Sequence, residues 1–135
     1  MSLKDLNELV LADNALTELA DTLIEALPKL RLLDVSGNQL TTIPAAIAKL
    51  SFLRYLKLRN NKLSTAAVDV LDTNPFDLDA LEEVDLAQNR LTLLPTFVVR
   101  LKGLKSLVLT NNSINTLVTP TELNYCDEHG LLNMR

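Results

Sequence analysis

The chain is poor in the residues that usually build catalytic and metal sites. Its 135 residues include one cysteine, one histidine and no tryptophan, and only 4% are aromatic. A single cysteine cannot form an intrachain disulfide, and small secreted domains commonly depend on disulfides, so we expect a reducing, cytoplasmic compartment. Cys126 and His129 lie three residues apart, but two ligands fall short of the four that a structural zinc site takes. We therefore expect no metal and no other cofactor.

Positive charge, glycine and long apolar runs are also scarce. The formal net charge of −4 argues against nucleic-acid binding, because phosphate contacts require a basic surface. The glycines at 37, 103 and 130 are too far apart to form a phosphate-binding loop. No apolar run approaches the roughly 18 residues of a membrane span, and the first residues lack the apolar core of a signal peptide. We expect no membrane insertion.

Catalysis is not expected either. A Cys126 nucleophile with His129 as its base is conceivable. However, the segment that carries both residues falls in a loop, without neighbouring residues that would form a pocket. The carboxylates elsewhere are spread along solvated faces rather than paired in a cleft. The sequence therefore predicts a protein that is not an enzyme.

What the chain does contain is a repeated string of leucine and asparagine. The copy from Leu53 to Leu63 reads L-x-x-L-x-L-x-x-N-x-L, and other copies begin at Leu6, Leu30, Leu81 and Leu104. The asparagines of the five copies are Asn14, Asn38, Asn61, Asn89 and Asn112. They are 24, 23, 28 and 23 residues apart. Self-similarity at such a period indicates a repeat architecture.

Each repeat can be interpreted in two halves. The x-x-L-x-L-x-x segment alternates with period two, which predicts a short strand that points its leucines into the core. The asparagine that follows should satisfy backbone groups of the bend, so that the five amides stack as a ladder. In the second half, apolar spacings of three and four predict a helical turn or 3₁₀ segment. Proline fits there, at Ile43-Pro44 and Leu94-Pro95, because this half need not donate to a sheet.

The third repeat is five residues longer than the 23-residue repeats. We expect a longer helix at 65–71 and a loop at 72–77, in which Asn74-Pro75 is a turn signal. Insertions in repeat arrays map to surface loops. Phe76 should pack beneath this loop rather than project as a contact residue.

The repeating unit resembles the intracellular leucine-rich repeat family, and most closely its typical, Ras-group-like subtype, in which Ile43-Pro44 and Leu94-Pro95 are characteristic. The resemblance extends over residues 6–117. It implies an α/β fold: a right-handed solenoid with a parallel β-sheet on the concave face and short helical or 3₁₀ segments on the convex face. It also implies a protein-interaction role as an adaptor or scaffold, and it carries no catalytic residues.

We expect one domain over residues 1–135. The repeats would occupy about 6–29, 30–52, 53–80, 81–103 and 104–130, and Leu131 and Met134 continue the frame as a candidate truncated sixth repeat at 131–135. Repeat arrays need polar caps, and neither end shows one. If the chain is a fragment, the apolar stretches 6–11 and 104–109 should be exposed and promote self-association. The oligomeric state is otherwise open.

The outward positions of the strands form the candidate binding surface. Tyr55 is expected beside Leu32, and Arg59 projects from a row of small residues that would leave it free to reach a partner; tyrosine and arginine are enriched in binding hot spots. Asp34, Lys57 and Asp85 alternate in sign, and Arg54 lies beside Glu82, so lateral ion pairs that keep the face soluble are the alternative. The candidate residues are Leu32, Asp34, Arg54, Tyr55, Lys57, Arg59, Glu83 and Asp85.

Three functions remain open at this point. The first is a protein-interaction module that binds a protein or peptide on its concave sheet. The second is the recognition segment of a larger signalling enzyme, such as a kinase, GTPase or ubiquitin ligase. The third is a structural spacer between other regions. The sequence does not identify the partner.

Overall fold

A computed structural model describes residues 3–114 of the chain. The segment with Cys126 and His129 and the candidate sixth repeat at 131–135 lie outside these residues. Within them, five parallel strands form one sheet in chain order, one strand from each repeat. The strands are β1 (Glu8–Val10), β2 (Leu32–Asp34), β3 (Tyr55–Lys57), β4 (Glu83–Asp85) and β5 (Ser106–Val108).

Period-two alternation explains why these segments are strands. The central residue of each strand from β2 to β5 is buried, with 0–2% exposure, whereas its neighbours on either side are partly exposed. Each strand is only three residues long because the chain bends soon after it. The bend places Asn60, and the corresponding residue of every other repeat, at a positive φ. Gly37 fills this position in the second repeat, where an added Cβ would meet the Asp13 carboxylate.

The asparagines form the expected ladder between repeats. The Asn61 amide donates to the carbonyl oxygens of Val35 and Leu58 at 3.1 Å each, and its Oδ1 accepts from the Leu40 N–H at 3.1 Å. Asn61 therefore satisfies backbone groups of its own repeat and of the preceding one. Asn38, Asn89 and Asn112 make equivalent bonds. The structural interpretation of these residues is confirmed.

In the first four repeats, short helical segments return the chain along the other side of the repeat. The α-helices are α1 (Asp21–Glu25) and α2 (Thr65–Val68). The 3₁₀ segments are Leu3–Asp5, Ala45–Lys49, Asp69–Leu71 and Thr96–Arg100. The helix expected at 65–71 is therefore present as α2 followed by a 3₁₀ turn, and α2 begins where the Ser64 hydroxyl accepts from the Ala67 N–H at 3.2 Å.

The loop at 72–77 is held against the fourth repeat by Arg100. Its guanidinium donates to the Asp72 carboxylate at 2.8 Å, to the Thr73 carbonyl at 3.1 Å and to the Asn74 side-chain oxygen at 3.0 Å. The same guanidinium lies 4.2 Å from the centre of the Phe76 ring. Phe76 is partly buried and packs against the core, as predicted.

The core continues through the described part of the array, but the stretches 6–11 and 104–109 differ in burial. Leu6, Leu9 and Leu11 of the first repeat are only partly buried, as expected for an uncovered end. The expectation of an exposed stretch at 104–109 is wrong. Leu104, Leu107 and Leu109 join the buried core with 2–4% exposure.

Candidate functional site

The register of the sheet brings the candidate residues together. Leu32, Tyr55 and Glu83 are direct neighbours across β2, β3 and β4. Asp34, Lys57 and Asp85 form the adjacent row of the same three strands. All six side chains are partly exposed, because the strand centres that alternate with them point into the core. The middle of the sheet therefore carries a compact cluster of apolar and charged groups.

Asp85 is bonded on both of its carboxylate oxygens. Oδ1 accepts from the Ala87 N–H at 3.1 Å, and Oδ2 accepts from the Arg59 Nε at 2.8 Å. The expectation that small neighbours leave Arg59 free is therefore wrong. The Arg59 guanidinium extends across the small residues of its row and contacts the Asp85 carboxylate.

Lys57 behaves differently from Arg59. Its strand neighbour Asp34 accepts from the Ser36 N–H at 3.0 Å, which directs that carboxylate into its own turn. In residues 3–114, no carboxylate oxygen lies within 4.0 Å of the Lys57 ammonium. The predicted lateral ion pairs of Lys57 are therefore not formed, and its charge remains directed to solvent from the middle of the face.

Glu82 joins the third and fifth repeats at the start of their strands. Its carboxylate lies 2.7 Å from the Arg54 Nε and 2.8 Å from the Lys105 Nζ. Hydrogen bonds from Lys105 and then Arg54 lower the pKa of the Glu82 carboxyl. The expected pair between Arg54 and Glu82 is confirmed. Arg54 also lies 5.7 Å from the centre of the Tyr55 ring, within reach of a cation–π contact.

These groups surround a shallow groove of about 260 Å³, called here the Tyr55 groove. Its lining residues are Arg54, Tyr55, Glu82, Glu83, Lys105 and Ser106. The groove offers an aromatic ring together with hydrogen-bond donors and acceptors. Sequence reasoning did not select Glu82, Lys105 or Ser106, although the alternating charges of Arg54, Glu82 and Lys105 at one position of successive repeats were a visible signal.

Across residues 3–114, no cluster of three or more His, Cys, Asp or Glu side chains is arranged to hold a metal ion. In the same residues, no helix combines the length and the apolar character required to cross a bilayer.

Comparison with known proteins gives a consistent family. The leucine-rich repeat family model matches residues 4–63. The chain is 35% identical over 122 residues to mouse leucine-rich repeat serine/threonine-protein kinase 1, an alignment that covers 86% of this chain and 6% of the kinase. It is 31% identical over 106 residues to the protein flightless-1 homolog of Caenorhabditis elegans, an alignment that covers 63% of this chain and 8% of that protein. It is 36% identical over 118 residues to chicken fibromodulin, an alignment that covers 84% of this chain and 29% of fibromodulin.

A solved leucine-rich repeat protein of Leptospira interrogans also aligns, with a TM-score of 0.41 and 25% identity over 88% of this chain and 40% of that chain. The chain spans less than a tenth of the kinase and of the flightless-1 homolog. What the family model and the printed names of these relatives have in common with the chain is the leucine-rich repeat. The chain belongs to the leucine-rich repeat family.

Proposed function

We propose that the chain is a protein-interaction module, acting as an adaptor or scaffold, that binds a folded protein or a peptide on the concave face of its sheet. The observation that carries this proposal is the unpaired ammonium of Lys57 beside the partly exposed ring of Tyr55. The fold already pairs Arg54 with Glu82 and Arg59 with Asp85. Within residues 3–114, Lys57 has no ion-pair partner, and its ammonium is available to a ligand from outside.

The neighbours of Lys57 suggest what the ligand presents. Leu32 and Tyr55 lie side by side and expose apolar surface, which an apolar side chain of the partner could cover. A carboxylate of the same partner would then meet Lys57 within the same contact. The paired charges of Arg54, Arg59 and Glu82 would form a polar rim around this contact, as is usual for protein interfaces.

We infer that the module works by binding rather than by catalysis. The side chains of the Tyr55 groove form an open, shallow surface, whereas most enzyme pockets enclose the ligand. We also propose a cytoplasmic location, which the single cysteine supports because the chain does not depend on a disulfide.

Affinity capture from the source cell's lysate tests the binding proposal. Partners recovered by the wild type would be compared quantitatively with those of the Tyr55→Ala, Lys57→Glu double variant. We expect at least one partner to be lost from the variant. Arg59 is not changed, because its replacement by an acidic residue would also place two carboxylates together and disturb the fold.

Matched controls separate recognition from general surface effects. Lys62→Glu reverses a charge at an exposed position beyond β3, and Val99→Ala shortens an exposed apolar side chain of the convex side. Both should retain the partners of the wild type. A double variant that is folded by circular dichroism and keeps every partner would refute the concave-face proposal.

The alternative is that the chain is the recognition segment of a larger signalling enzyme. Its likeness to mouse leucine-rich repeat serine/threonine-protein kinase 1 over 86% of this chain favours this candidate. The transcript that encodes residues 1–135 distinguishes the two. A catalytic domain in the same reading frame supports the recognition segment, and a reading frame that encodes repeats alone supports the independent adaptor.

A further inference from the structure

We propose a second docking site, at the N-terminal ends of the first strands, for an acidic segment of a partner protein that presents an apolar side chain. The site is a small pocket lined by Asn7, Lys29, Arg31 and Phe52, called here the rim pocket. Its Arg31 lies in the row of Arg54, one repeat earlier, but none of its lining residues belongs to the Tyr55 groove. The proposal therefore goes beyond the concave-face function and does not depend on it.

Phe52 is the first observation behind this proposal. Its side chain is 54% exposed, although it is one of only three phenylalanines in the chain. The equivalent positions of other repeats hold Lys29, Ala80 and Gly103, so the repeat does not require an aromatic side chain at this turn. An exposed phenyl ring that packing does not explain is a candidate anchor for a partner, since aromatic side chains are enriched at interface centres.

Charge is the second observation. Within residues 3–114, no carboxylate oxygen lies within 4.0 Å of the Arg31 guanidinium. Lys29 lines the same pocket, but the Asp5 carboxylate, 3.1 Å away, compensates its charge, so the uncompensated positive charge is that of Arg31. The pocket is therefore locally positive on a chain whose formal net charge is −4. Its charge complements an acidic ligand.

The backbone holds Arg31 firmly in this position. Its N–H donates to the Asn7 carbonyl at 2.6 Å, and its own carbonyl accepts from the N–H groups of Arg54 and Tyr55 at 2.8 and 3.0 Å. Arg31 is thus built into the sheet between the first and third repeats. Because this backbone is already fixed, it loses little conformational entropy when a ligand binds.

The size of the pocket indicates the kind of ligand. Its volume is about 70 Å³, well below the roughly 300–1,000 Å³ of small-molecule sites. This is room for the end of one apolar side chain beside Phe52. A nucleic acid fits less well, because the net negative charge of the chain opposes the approach of a polyanion.

Selection of peptides from a random library displayed on phage, against the immobilised chain, tests this assignment. Phage that also bind the immobilised Phe52→Ala variant would be removed, so that the remaining peptides depend on the rim pocket. We expect these peptides to combine acidic residues with a bulky apolar one. Synthetic copies should lose at least about tenfold in affinity for Phe52→Ala and for Arg31→Glu, which corresponds to about 1.4 kcal/mol.

Further variants give the result its specificity. Phe52→Leu, which keeps an apolar side chain, should retain most of the affinity, and Tyr55→Ala should retain all of it. No enrichment, peptides without an acidic bias, or equal binding to Phe52→Ala and Arg31→Glu would overturn the proposal. Peptides that bind through Tyr55 alone would support the concave face and overturn the rim pocket. The proposal would also be overturned if a single-stranded DNA oligonucleotide bound the chain and lost as much affinity as the peptides in Phe52→Ala and Arg31→Glu.

Discussion

Asn61 shows how one side chain fixes the spacing of two repeats. Its three short hydrogen bonds reach backbone groups of the second and third repeats, and the residue is only 7% exposed. The Val35 carbonyl also accepts from the Asn38 amide, and the Leu58 carbonyl from the Asn89 amide, at 2.9 Å each, so neighbouring asparagines of the ladder share acceptors. Asn14 at the first repeat differs, since it is exposed and its amide donates only within its own repeat.

Asn61→Ala should therefore destabilise the chain far more than Asn14→Ala. Loss of the buried amide leaves the Leu40 N–H without its side-chain acceptor and removes one of the two amide donors to the Val35 carbonyl, which costs about 2 kcal/mol of unfolding free energy. Asn14→Ala should cost less than about 1 kcal/mol, because water replaces the amide. Urea unfolding monitored by circular dichroism measures both free energies of unfolding. Equal losses for the two variants would contradict a larger contribution from the buried asparagines.

Sequence reasoning identified these asparagines because their role depends on repeat spacing alone. It failed for Arg59, whose role depends on which of several nearby carboxylates the side chain reaches. The register places Lys57, not Arg59, directly beside Asp85. The observed pair of Arg59 and Asp85 depends on the turn bond from Ala87, which orients the carboxylate and is not apparent from the string of residues.

The third-repeat loop shows how an element is held by side chains of its neighbour. Arg100 contacts three consecutive loop residues and the Phe76 ring. The loop and its surface position could be predicted from the extra length of the repeat. Its attachment could not, since Arg100 lies in a different repeat and has no fixed spacing to the insertion.

Arg100→Ala should loosen the loop at 72–77 without unfolding the sheet. The expected loss of unfolding free energy is about 1 kcal/mol, because the contacts are partly exposed. Amide hydrogen exchange should become faster in the loop and remain unchanged in β3 and β4. Lys102→Ala, at an exposed position two residues away, is the control. Unchanged exchange at 72–77 would show that Arg100 does not restrain the loop.

Two carboxyls that join elements should make stability depend on acid pH. Arg100 and Thr96 lower the pKa of Asp72, and Lys105 and Arg54 lower that of Glu82. A lowered pKa in the folded state contributes stability above the unfolded pKa of about 4, and this stability is lost as pH falls through the folded pKa.

The midpoint of urea unfolding should therefore fall as pH is lowered below the unfolded pKa of about 4 and towards the lowered pKa values of the folded state. The Asp72→Asn, Glu82→Gln double variant should be less stable than the wild type at pH 6 and approach it at the acid end. A constant difference between the two proteins across this range would contradict the assigned ion pairs.

At the scale of the whole molecule, the array is well packed in the middle and open at its first repeat. Leu56 of β3 is fully buried, whereas Leu9 at the same position of β1 is only partly buried. The repeat pattern assigns both residues to the core, since it describes the interior of an array. The repeat pattern does not indicate how exposed the first and last repeats are. The expected exposure of the apolar residues is therefore correct at 6–11 and wrong at 104–109.

Leu56→Ala should accordingly cost about 3 kcal/mol, through lost burial and the cavity that remains. Leu9→Ala should cost about 1 kcal/mol, because part of its side chain already contacts solvent. Amide exchange should likewise be faster in β1 than in β3, as local stability follows burial in repeat arrays. Equal costs for the two substitutions would indicate that the first repeat is as tightly packed as the third.

We propose that this array recognises a protein through the middle of its concave face. Site-specific photo-crosslinking in cells tests it most directly, with benzoylphenylalanine placed at Tyr55 or, as the control, at the exposed convex residue Leu93. We expect a discrete protein adduct from position 55, lost on Lys57→Glu, and no matching adduct from position 93. Adducts from position 93 alone would contradict recognition through the concave face.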